Sequence, residues 1–337
     1  MNARIPELDV AEFMIPSRAA KQVPLGGDAG IELYVRNRHP RGQAAFAADR
    51  VLLFVHGSTY PAEAVFDYPL HGLSWMQYIA ARGFDVYLVD VRGYGRSTRP
   101  VAMDGPPQNG APVARTAEAV ADVGAAVDFI CRRRNITALN LMGWSWGTTI
   151  MSAYTARHNE RVRKLVLNAP QWLRDGPSSL DAGGPLGAWR AATRDTTRRH
   201  WFGGVPPHKV NEVIAPAAFE AWLTAAMATD PVGASMNPPI LRAPNGTLLD
   251  TREFWTQGRP PYDPADIRVP VLMTHAEWDT VLPARMGHEL YAKLVNVPYK
   301  RHVEFSEGTH YLMLEKNRMQ VLREVQHFLE EECRVGE

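Results

Sequence analysis

The chain has 337 residues, of which 45% are hydrophobic and 22% are charged, and its formal net charge at pH 7 is +1. This composition is typical of a soluble globular enzyme, and the length fits one α/β core with an inserted subdomain. The balanced charge gives no field that would favour nucleic acid or an anionic membrane, so we expect neither as a partner. The expected partner is a small-molecule substrate, and homo-oligomerisation is left open.

Only two cysteines occur, Cys131 and Cys333, and they are far apart in the sequence. A secreted scaffold that depends on disulfides normally uses more, so this count does not call for an oxidising compartment. Residues 1–18 carry scattered charges and no apolar run of signal-peptide length. No stretch approaches the roughly 18 apolar residues of a membrane span. These features predict a cytoplasmic protein.

Short apolar runs alternate with helical patterns along the chain, which predicts βαβ units and a mostly parallel, doubly wound sheet of the α/β class. Residues 22–36 resemble an opening β-hairpin around a Gly-rich centre. The continuous apolar run at 51–55 is typical of a strand that is buried on both faces. The following segments are then predicted in order: a helix at 72–82, a strand at 85–90, a Pro- and Gly-rich loop at 99–113, a helix at 115–134, a strand at 138–142, a helix at about 146–157 and a strand at 164–168.

The pattern changes between residues 171 and 265, where we predict no strand and where Gly, Pro and Trp are frequent. Sheet rhythm resumes with a strand at 269–275, a helix near 284–294, a strand at 300–305 and a closing helix near 315–331. We therefore predict a core formed by residues 1–170 and 266–337. A mainly helical cap, residues 171–265, is expected to be inserted after the sixth strand.

The strongest motif is Gly143-Trp144-Ser145-Trp146-Gly147, a G-x-S-x-G between a predicted strand and a predicted helix. A serine in such a motif lies on a very tight strand-to-helix turn that holds it in a strained backbone conformation. The two glycines let neighbouring backbones pass without a Cβ clash. The serine hydroxyl would then project from the carboxyl edge of the sheet, beside the positive end of the next helix.

At this point the chain resembles the α/β-hydrolase fold family, over roughly residues 22 to 331. His56-Gly57-Ser58-Thr59 is similar to the family's H-G-x turn after the third strand. The segment 90–97, Asp-Val-Arg-Gly-Tyr-Gly-Arg-Ser, is similar to its D-x-R-G-x-G-x-S segment after the fourth strand. The insert lies where the family usually carries a cap or lid. The resemblance implies a serine hydrolase with Ser145 as nucleophile, and the serine argues against relatives that use an aspartate there.

A serine hydroxyl is a poor nucleophile at neutral pH and needs a base within hydrogen-bond reach. His310 follows the last predicted strand and matches the family's catalytic histidine, while His275 is a weaker rival. Asp279 occupies the position of the family's acid, and Glu277 is its nearest competitor. The chain order of serine, acid and histidine is the one expected for this fold.

Further site residues follow from the same resemblance. The backbone N–H groups of Ser58 and Trp146 are the expected oxyanion hole. Aromatic side chains near the nucleophile and in the insert are candidates for substrate binding because ligand pockets are usually apolar. These candidates are Tyr60, Trp144, Trp172, Trp222 and Trp255.

The leading function is hydrolysis of a carboxylic ester of moderate size, with a hydrophobic or aromatic substrate, through an acyl-enzyme on Ser145. Amide or peptide hydrolysis of the aminopeptidase type is an alternative, for which Glu253 would have to bind the substrate amine. Carbon–carbon bond hydrolysis and a ligand receptor with residual activity are further alternatives. No metal or cofactor is expected, because no histidine and carboxylate cluster has ligand spacing and no dinucleotide fingerprint is present.

Overall fold

The computed structural model describes residues 6–17 and 30–332. The strands of these residues are β1 (Leu8–Pro16), β2 (Glu32–Pro40), β3 (Val51–Val55), β4 (Asp85–Val89), β5 (Leu139–Trp144), β6 (Val162–Asn168), β7 (Trp189–Ala192), β8 (Leu241–Pro244), β9 (Val271–Ala276) and β10 (Lys300–Phe305). The α-helices are α1 (Ala62–Phe66), α2 (Trp75–Ala80), α3 (Thr116–Arg134), α4 (Trp146–Arg157), α5 (Arg194–Phe202), α6 (Val210–Val213), α7 (Pro216–Ala228), α8 (Pro231–Ala234), α9 (Gly246–Glu253), α10 (Ala284–Lys293) and α11 (Arg318–Glu330).

Eight strands form one sheet in the order β1-β2-β4-β3-β5-β6-β9-β10. In this sheet the neighbouring strands β4, β3, β5, β6, β9 and β10 are all parallel, whereas β2 pairs antiparallel with both β1 and β4. Strand β3 shows why this sheet needs helices on both faces. Its residues Leu52 and Phe54 join one apolar cluster and Leu53 joins another, and all are fully buried. The predicted mostly parallel α/β sheet is confirmed.

The antiparallel edge differs in detail from the predicted hairpin at 22–36. Within the described residues, the strand that pairs with the outer edge of β2 is β1, with Leu8 opposite Pro40 and Pro16 opposite Glu32. Residues 18–29, which include most of the predicted first arm and its Gly-rich turn, lie outside the described residues.

The prediction that residues 171–265 contain no strand is wrong. Strands β7 and β8 form a two-stranded antiparallel sheet in which Trp189 lies opposite Pro244 and Ala192 opposite Leu241. Each strand has four residues and its partner is far away in the sequence, so neither carries a local alternating pattern that could reveal it. The remainder of the segment contains helices α5 to α9, as a mainly helical insert would.

A buried ion pair fixes the loop after β4 against α3. Arg92 is fully buried, and its Nε and Nη2 atoms donate to the two carboxylate oxygens of Asp122 at 3.0 and 2.8 Å. The backbone N–H of Arg92 also donates to Asp122, and the guanidinium contacts Glu118 at 3.3 Å. The same loop carries Tyr94, whose hydroxyl donates to the carbonyl of Ser58. The ion pair therefore holds a segment that contacts the predicted oxyanion turn.

We predict that Asp122→Asn lowers the free energy of unfolding by about 3 kcal/mol or more, because it leaves the Arg92 cation buried without its main counter-charge. Asp128→Asn on the same helix is the matched control, since the ion pair of Asp128 with Arg161 is partly exposed to water. That control should cost less than about 1 kcal/mol. Urea unfolding followed by circular dichroism measures both. Equal losses in the two variants would contradict this account of the loop.

Candidate active site

Ser145 occupies the tight turn between β5, which ends at Trp144, and α4, which begins at Trp146. Its backbone has φ 57° and ψ −123°, a conformation that non-glycine residues rarely adopt. The turn is held by hydrogen bonds on both sides: the Ser145 N–H donates to the carbonyl of Asn168 at 2.9 Å, and the N–H and hydroxyl of Thr148 donate to the Ser145 carbonyl. The surrounding structure therefore maintains the strained conformation.

The two glycines of the motif are required by close backbone approaches. A Cβ on Gly143 would lie 2.3 Å from the carbonyl oxygen of Gly147. A Cβ on Gly147 would lie 2.6 Å from the carbonyl oxygen of His56 and 2.7 Å from that of Val55. All three distances are far below van der Waals contact, so only glycine lets β3, β5 and α4 approach as they do.

His310 and Asp279 lie together, beyond the ends of β10 and β9. The Nδ1 atom of His310 is 2.8 Å from Oδ2 of Asp279, and both side chains are almost completely shielded from water. The other carboxylate oxygen, Oδ1, accepts the N–H groups of Val281 and Leu282 at 2.9 and 2.8 Å. The carboxylate is therefore held at both oxygens, with one of them directed at the imidazole.

The sequence competitors of these two residues are engaged elsewhere. Glu277 is exposed and accepts the backbone N–H of Glu307. His275 is fully buried, with its ring nitrogens close to the carbonyl of Leu282 and to His302. Among the described residues, neither forms a hydrogen bond with His310.

Ser145 and His310 line one small cavity of about 20 Å³. Such a volume holds about one water molecule. Among the described residues no hydrogen bond joins the Ser145 hydroxyl to the imidazole, a common situation before a substrate is bound. The indole N–H of Trp144 donates to the carbonyl of His310 at 3.0 Å, and the two rings lie 5.3 Å apart. Trp144 thus supports the position of His310 as well as lining the cavity.

The turn after β3 is organised by a buried neutral histidine. The N–H of Val91 donates to Nε2 of His56 at 3.1 Å, so the proton lies on Nδ1, which donates to the carbonyl of Gly57 at 2.6 Å. Burial lowers the pKa of His56 to about 4, which keeps the ring neutral at pH 7. This contact orients the peptide that carries the Ser58 N–H. In the described chain neither that N–H nor the N–H of Trp146 donates to another protein group.

The chain matches the α/β hydrolase fold family over residues 50–317. The chain belongs to this family. Solved structures similar to this hydrolase include a serine hydrolase from the polyaromatic-hydrocarbon-degrading bacterium Cycloclasticus zankles, with 15% identity, a TM-score of 0.58 and coverage of 96% of this chain and 98% of that one. An esterase from Exiguobacterium antarcticum has 17% identity, a TM-score of 0.58 and coverage of 94% and 99%.

A third similar structure is the 2-hydroxy-6-oxo-6-phenylhexa-2,4-dienoate hydrolase from Rhodococcus sp. strain RHA1, with 15% identity, a TM-score of 0.57 and coverage of 96% of this chain and 99% of that one. Identities this low support the shared fold alone. A comparison with curated proteins finds no match. In the described part of this hydrolase, no helix combines the length and apolar character that crossing a bilayer requires.

A second cavity of about 370 Å³ adjoins the first in this hydrolase. The two cavities share Thr59, Tyr60, Leu180 and Tyr311 as lining residues. Tyr60 is buried, and its hydroxyl is 2.7 Å from that of Thr197 on α5.

Two of the five aromatic candidates, Tyr60 and Trp144, line the cavity that contains Ser145. The other three are buried in the packed core and line neither cavity. Trp222 donates its indole N–H to the carbonyl of Ala64, and Trp172 packs against Trp255 with ring centroids 6.1 Å apart. Composition alone could not separate them, since a tryptophan in a core and one in a pocket look alike in sequence. Of the five, Tyr60 and Trp144 therefore stay predicted substrate contacts.

One arginine and one cluster of three polar residues were not predicted from the sequence. Arg190 on β7 donates to the carbonyl of Ser58 at 2.7 Å and lines the second cavity, although nothing near it in sequence marks it. His288, His302 and Glu304 offer ligand atoms within 4.8 Å of one another, a set that could hold a metal ion. They come from α10 and β10, so their proximity depends on tertiary packing, and none of them lines the two cavities.

We predict that Gly147→Ala lowers the free energy of unfolding by about 2 kcal/mol or more, because the new methyl group meets backbone atoms that cannot rotate away. Gly124→Ala in α3 is the matched control. Its Cβ would lie 3.5 Å from the ring of Tyr154, an ordinary contact, and alanine favours the helix. Urea unfolding should therefore show a loss for Gly147→Ala and no loss for Gly124→Ala. A Gly147→Ala protein as stable as the wild type would contradict the described packing.

Acid should destabilise the protein through His56. Its pKa is 6.5 ordinarily and about 4 in the folded chain, so the unfolded chain takes up a proton in this range that the folded chain does not. The corresponding stability is present above pH 6.5 and is lost as the pH falls toward 4, on the order of 3 kcal/mol in total. His56→Gln removes the titration and should lose less stability than the wild type between pH 7 and pH 4.5. Parallel curves of unfolding free energy against pH would show that His56 does not titrate as described.

Proposed function

We propose that the protein is a serine hydrolase that cleaves a carboxylic ester through an acyl-enzyme on Ser145. The observation that carries the proposal is the buried contact between His310 and Asp279, 2.8 Å long, in a cavity that His310 shares with the strained serine. A base held by a carboxylate beside a serine on a strand-to-helix turn is the arrangement that activates a hydroxyl for acyl transfer.

In the proposed reaction, Oγ of Ser145 attacks the ester carbonyl while Nε2 of His310 takes the hydroxyl proton. Asp279 keeps the remaining ring proton on Nδ1 and stabilises the imidazolium that forms. When the tetrahedral intermediate collapses, the imidazolium returns the proton to the departing alcohol. A water molecule, activated by the same base, then attacks the acyl group and releases the acid and the free serine.

The negative charge on the carbonyl oxygen would be stabilised by the N–H groups of Ser58 and Trp146. One such donor is generally worth about 3–4 kcal/mol in the transition state. The Ser58 side of the hole is supported by bonds to neighbouring carbonyls, from His56 to Gly57 and from Tyr94 and Arg190 to Ser58. These contacts fix the donor before the reaction, so little reorganisation is needed as charge develops.

The ion pair of Glu253 and its position outside both cavities favour ester cleavage over peptide cleavage. An aminopeptidase needs a carboxylate that binds the substrate amine, whereas Glu253 forms an ion pair with Arg115 and lines neither cavity. The second cavity, about 370 Å³, suits a substrate of moderate size. Carbon–carbon cleavage could use the same three residues.

Wild-type protein assayed with an aryl ester and the matching anilide should prefer the ester and show a burst of phenol equal to the enzyme concentration, provided that deacylation limits turnover. Ser145→Ala should lower kcat by about 10⁵-fold or more and abolish the burst. Asp279→Asn should lower kcat by about 10⁴-fold, because the amide stabilises the wrong tautomer of His310. Asp266→Asn and Ser235→Ala, whose residues line neither cavity, are the controls and should retain wild-type rates. An unchanged rate in Ser145→Ala would exclude the proposed nucleophile.

A further inference from the structure

The cavity that adjoins Ser145 has a positively charged lining. Two arginines line it, Arg190 on β7 and Arg199 on α5, together with several hydroxyl groups and the ring of His200, whose pKa is lowered by burial. None of the described residues that line it is an aspartate or a glutamate. A purely apolar substrate would leave two guanidinium groups beside its hydrocarbon surface, which is unfavourable for both.

Arg190 is the central group of this cavity. Its Nη2 atom donates to the Ser58 carbonyl at 2.7 Å and to the Thr59 hydroxyl at 3.1 Å, and Nη1 donates to the Pro244 carbonyl at 2.6 Å. All of these acceptors are neutral, and among the described residues Arg190 takes part in no ion pair. Arg190 interacts electrostatically with the carboxylate of Asp181, but that carboxylate already forms an ion pair with Arg252 at 2.6 Å. The guanidinium charge is therefore not balanced by the protein.

Partial burial of Arg190 destabilises its charged form. It lowers the pKa of Arg190 below the ordinary value of arginine. A partly buried cation without a counter-ion is destabilised, and proteins often pair such a charge with an anion. The exposed Arg199 lies at the same cavity and adds a second positive charge. Two guanidinium groups are well suited to a carboxylate, which accepts paired N–H donors.

The position of Arg190 links this charge to the reaction. It bonds the carbonyl of Ser58, whose N–H is the proposed oxyanion donor, and it lines the cavity that shares Thr59 and Tyr60 with the cavity of Ser145. A molecule of moderate length could therefore place one group at Arg190 and its ester at Ser145.

We propose that the ester substrate carries a carboxylate, which binds in this cavity against Arg190 and Arg199 while the ester carbonyl lies at Ser145. The inference rests on the proposed function and narrows its substrate class from a neutral apolar ester to an anionic one. Binding at the carboxylate end would orient the ester and supply the counter-charge that Arg190 lacks.

The test uses matched ester pairs that differ only in charge. In the first pair, ethyl hydrogen adipate carries a carboxylate on the acyl side of the ester, and its primary amide is the neutral counterpart. In the second pair, 4-(butyryloxy)butanoate carries the carboxylate on the alcohol side, and its primary amide is again the neutral counterpart. With wild-type protein the carboxylate member of at least one pair should have a kcat/KM about tenfold higher or more, as expected for a charge-assisted hydrogen bond. A ratio at or below one in both pairs would overturn the inference.

The variants Arg190→Gln and Arg199→Gln should lower this ratio toward one. Arg190→Gln also removes a bond to Ser58 and should slow the neutral esters, so the ratio within a pair is the decisive quantity. Arg198→Gln is the matched control because Arg198 lies over the rings of Phe202 and Phe219 and lines neither cavity. The control should keep the wild-type ratio. A ratio that survives both Arg190→Gln and Arg199→Gln would also overturn the inference.

Failure of the inference is distinguishable from failure of the proposed function. Turnover of the neutral esters that Ser145→Ala abolishes, without a carboxylate preference, would sustain the function and reject the anionic substrate. If no ester is hydrolysed, ester cleavage is rejected, and calorimetric titration with adipate decides the anion site. Adipate binding to the wild type and to Arg198→Gln that is lost in Arg199→Gln would support the site, and absence of binding to the wild type would reject it.

Discussion

The positive φ of Ser145, 57°, is the constraint on which the rest of the site depends. A serine in this conformation needs neighbours that prevent relaxation, and β6 and α4 provide them through bonds to its N–H and carbonyl. This tight turn also requires Gly143 and Gly147, because the absence of a Cβ at both positions lets the backbones of β3, β5 and α4 approach closely. The strain at one residue thus determines which residues can occupy the surrounding positions.

The other site residues reach Ser145 because parallel strands end at one edge of the sheet. The loops after β3, β5, β9 and β10 carry Ser58, Ser145, Asp279 and His310 respectively, and the loop after β4 supports the first of them through Tyr94. Buried polar groups keep these loops in place. Asp90 at the end of β4 accepts the N–H groups of Ala62 and Arg96, and burial raises its pKa to about 7. The precision of the site is therefore a property of the loop anchors as much as of the sheet.

Much of this arrangement could be predicted from sequence because it leaves local marks. A buried parallel strand is a continuous apolar run, as at 51–55, and the elbow is a glycine–serine motif between a strand and a helix. The position of Arg190 left no such mark, since it depends on pairing between β7 and β8 across 50 residues of chain. The same limit applies to Trp172, Trp222 and Trp255, because burial in a core and exposure to a cavity both suit an aromatic residue. Local motifs could be predicted from sequence, whereas contacts made by residues 171–265 could not.

In the proposed mechanism His310, held by Asp279, activates Ser145 in its strained turn. Intact-protein mass spectrometry after exposure to a fluorophosphonate tests it without any assumption about substrate. We expect one phosphonyl group per wild-type chain, located on Ser145 by peptide mapping, and labelling slower by several orders of magnitude in His310→Gln. The exposed His208 provides a control, and His208→Gln should be labelled at the wild-type rate. Labelling at another residue, or equal rates in wild type and His310→Gln, would contradict the account.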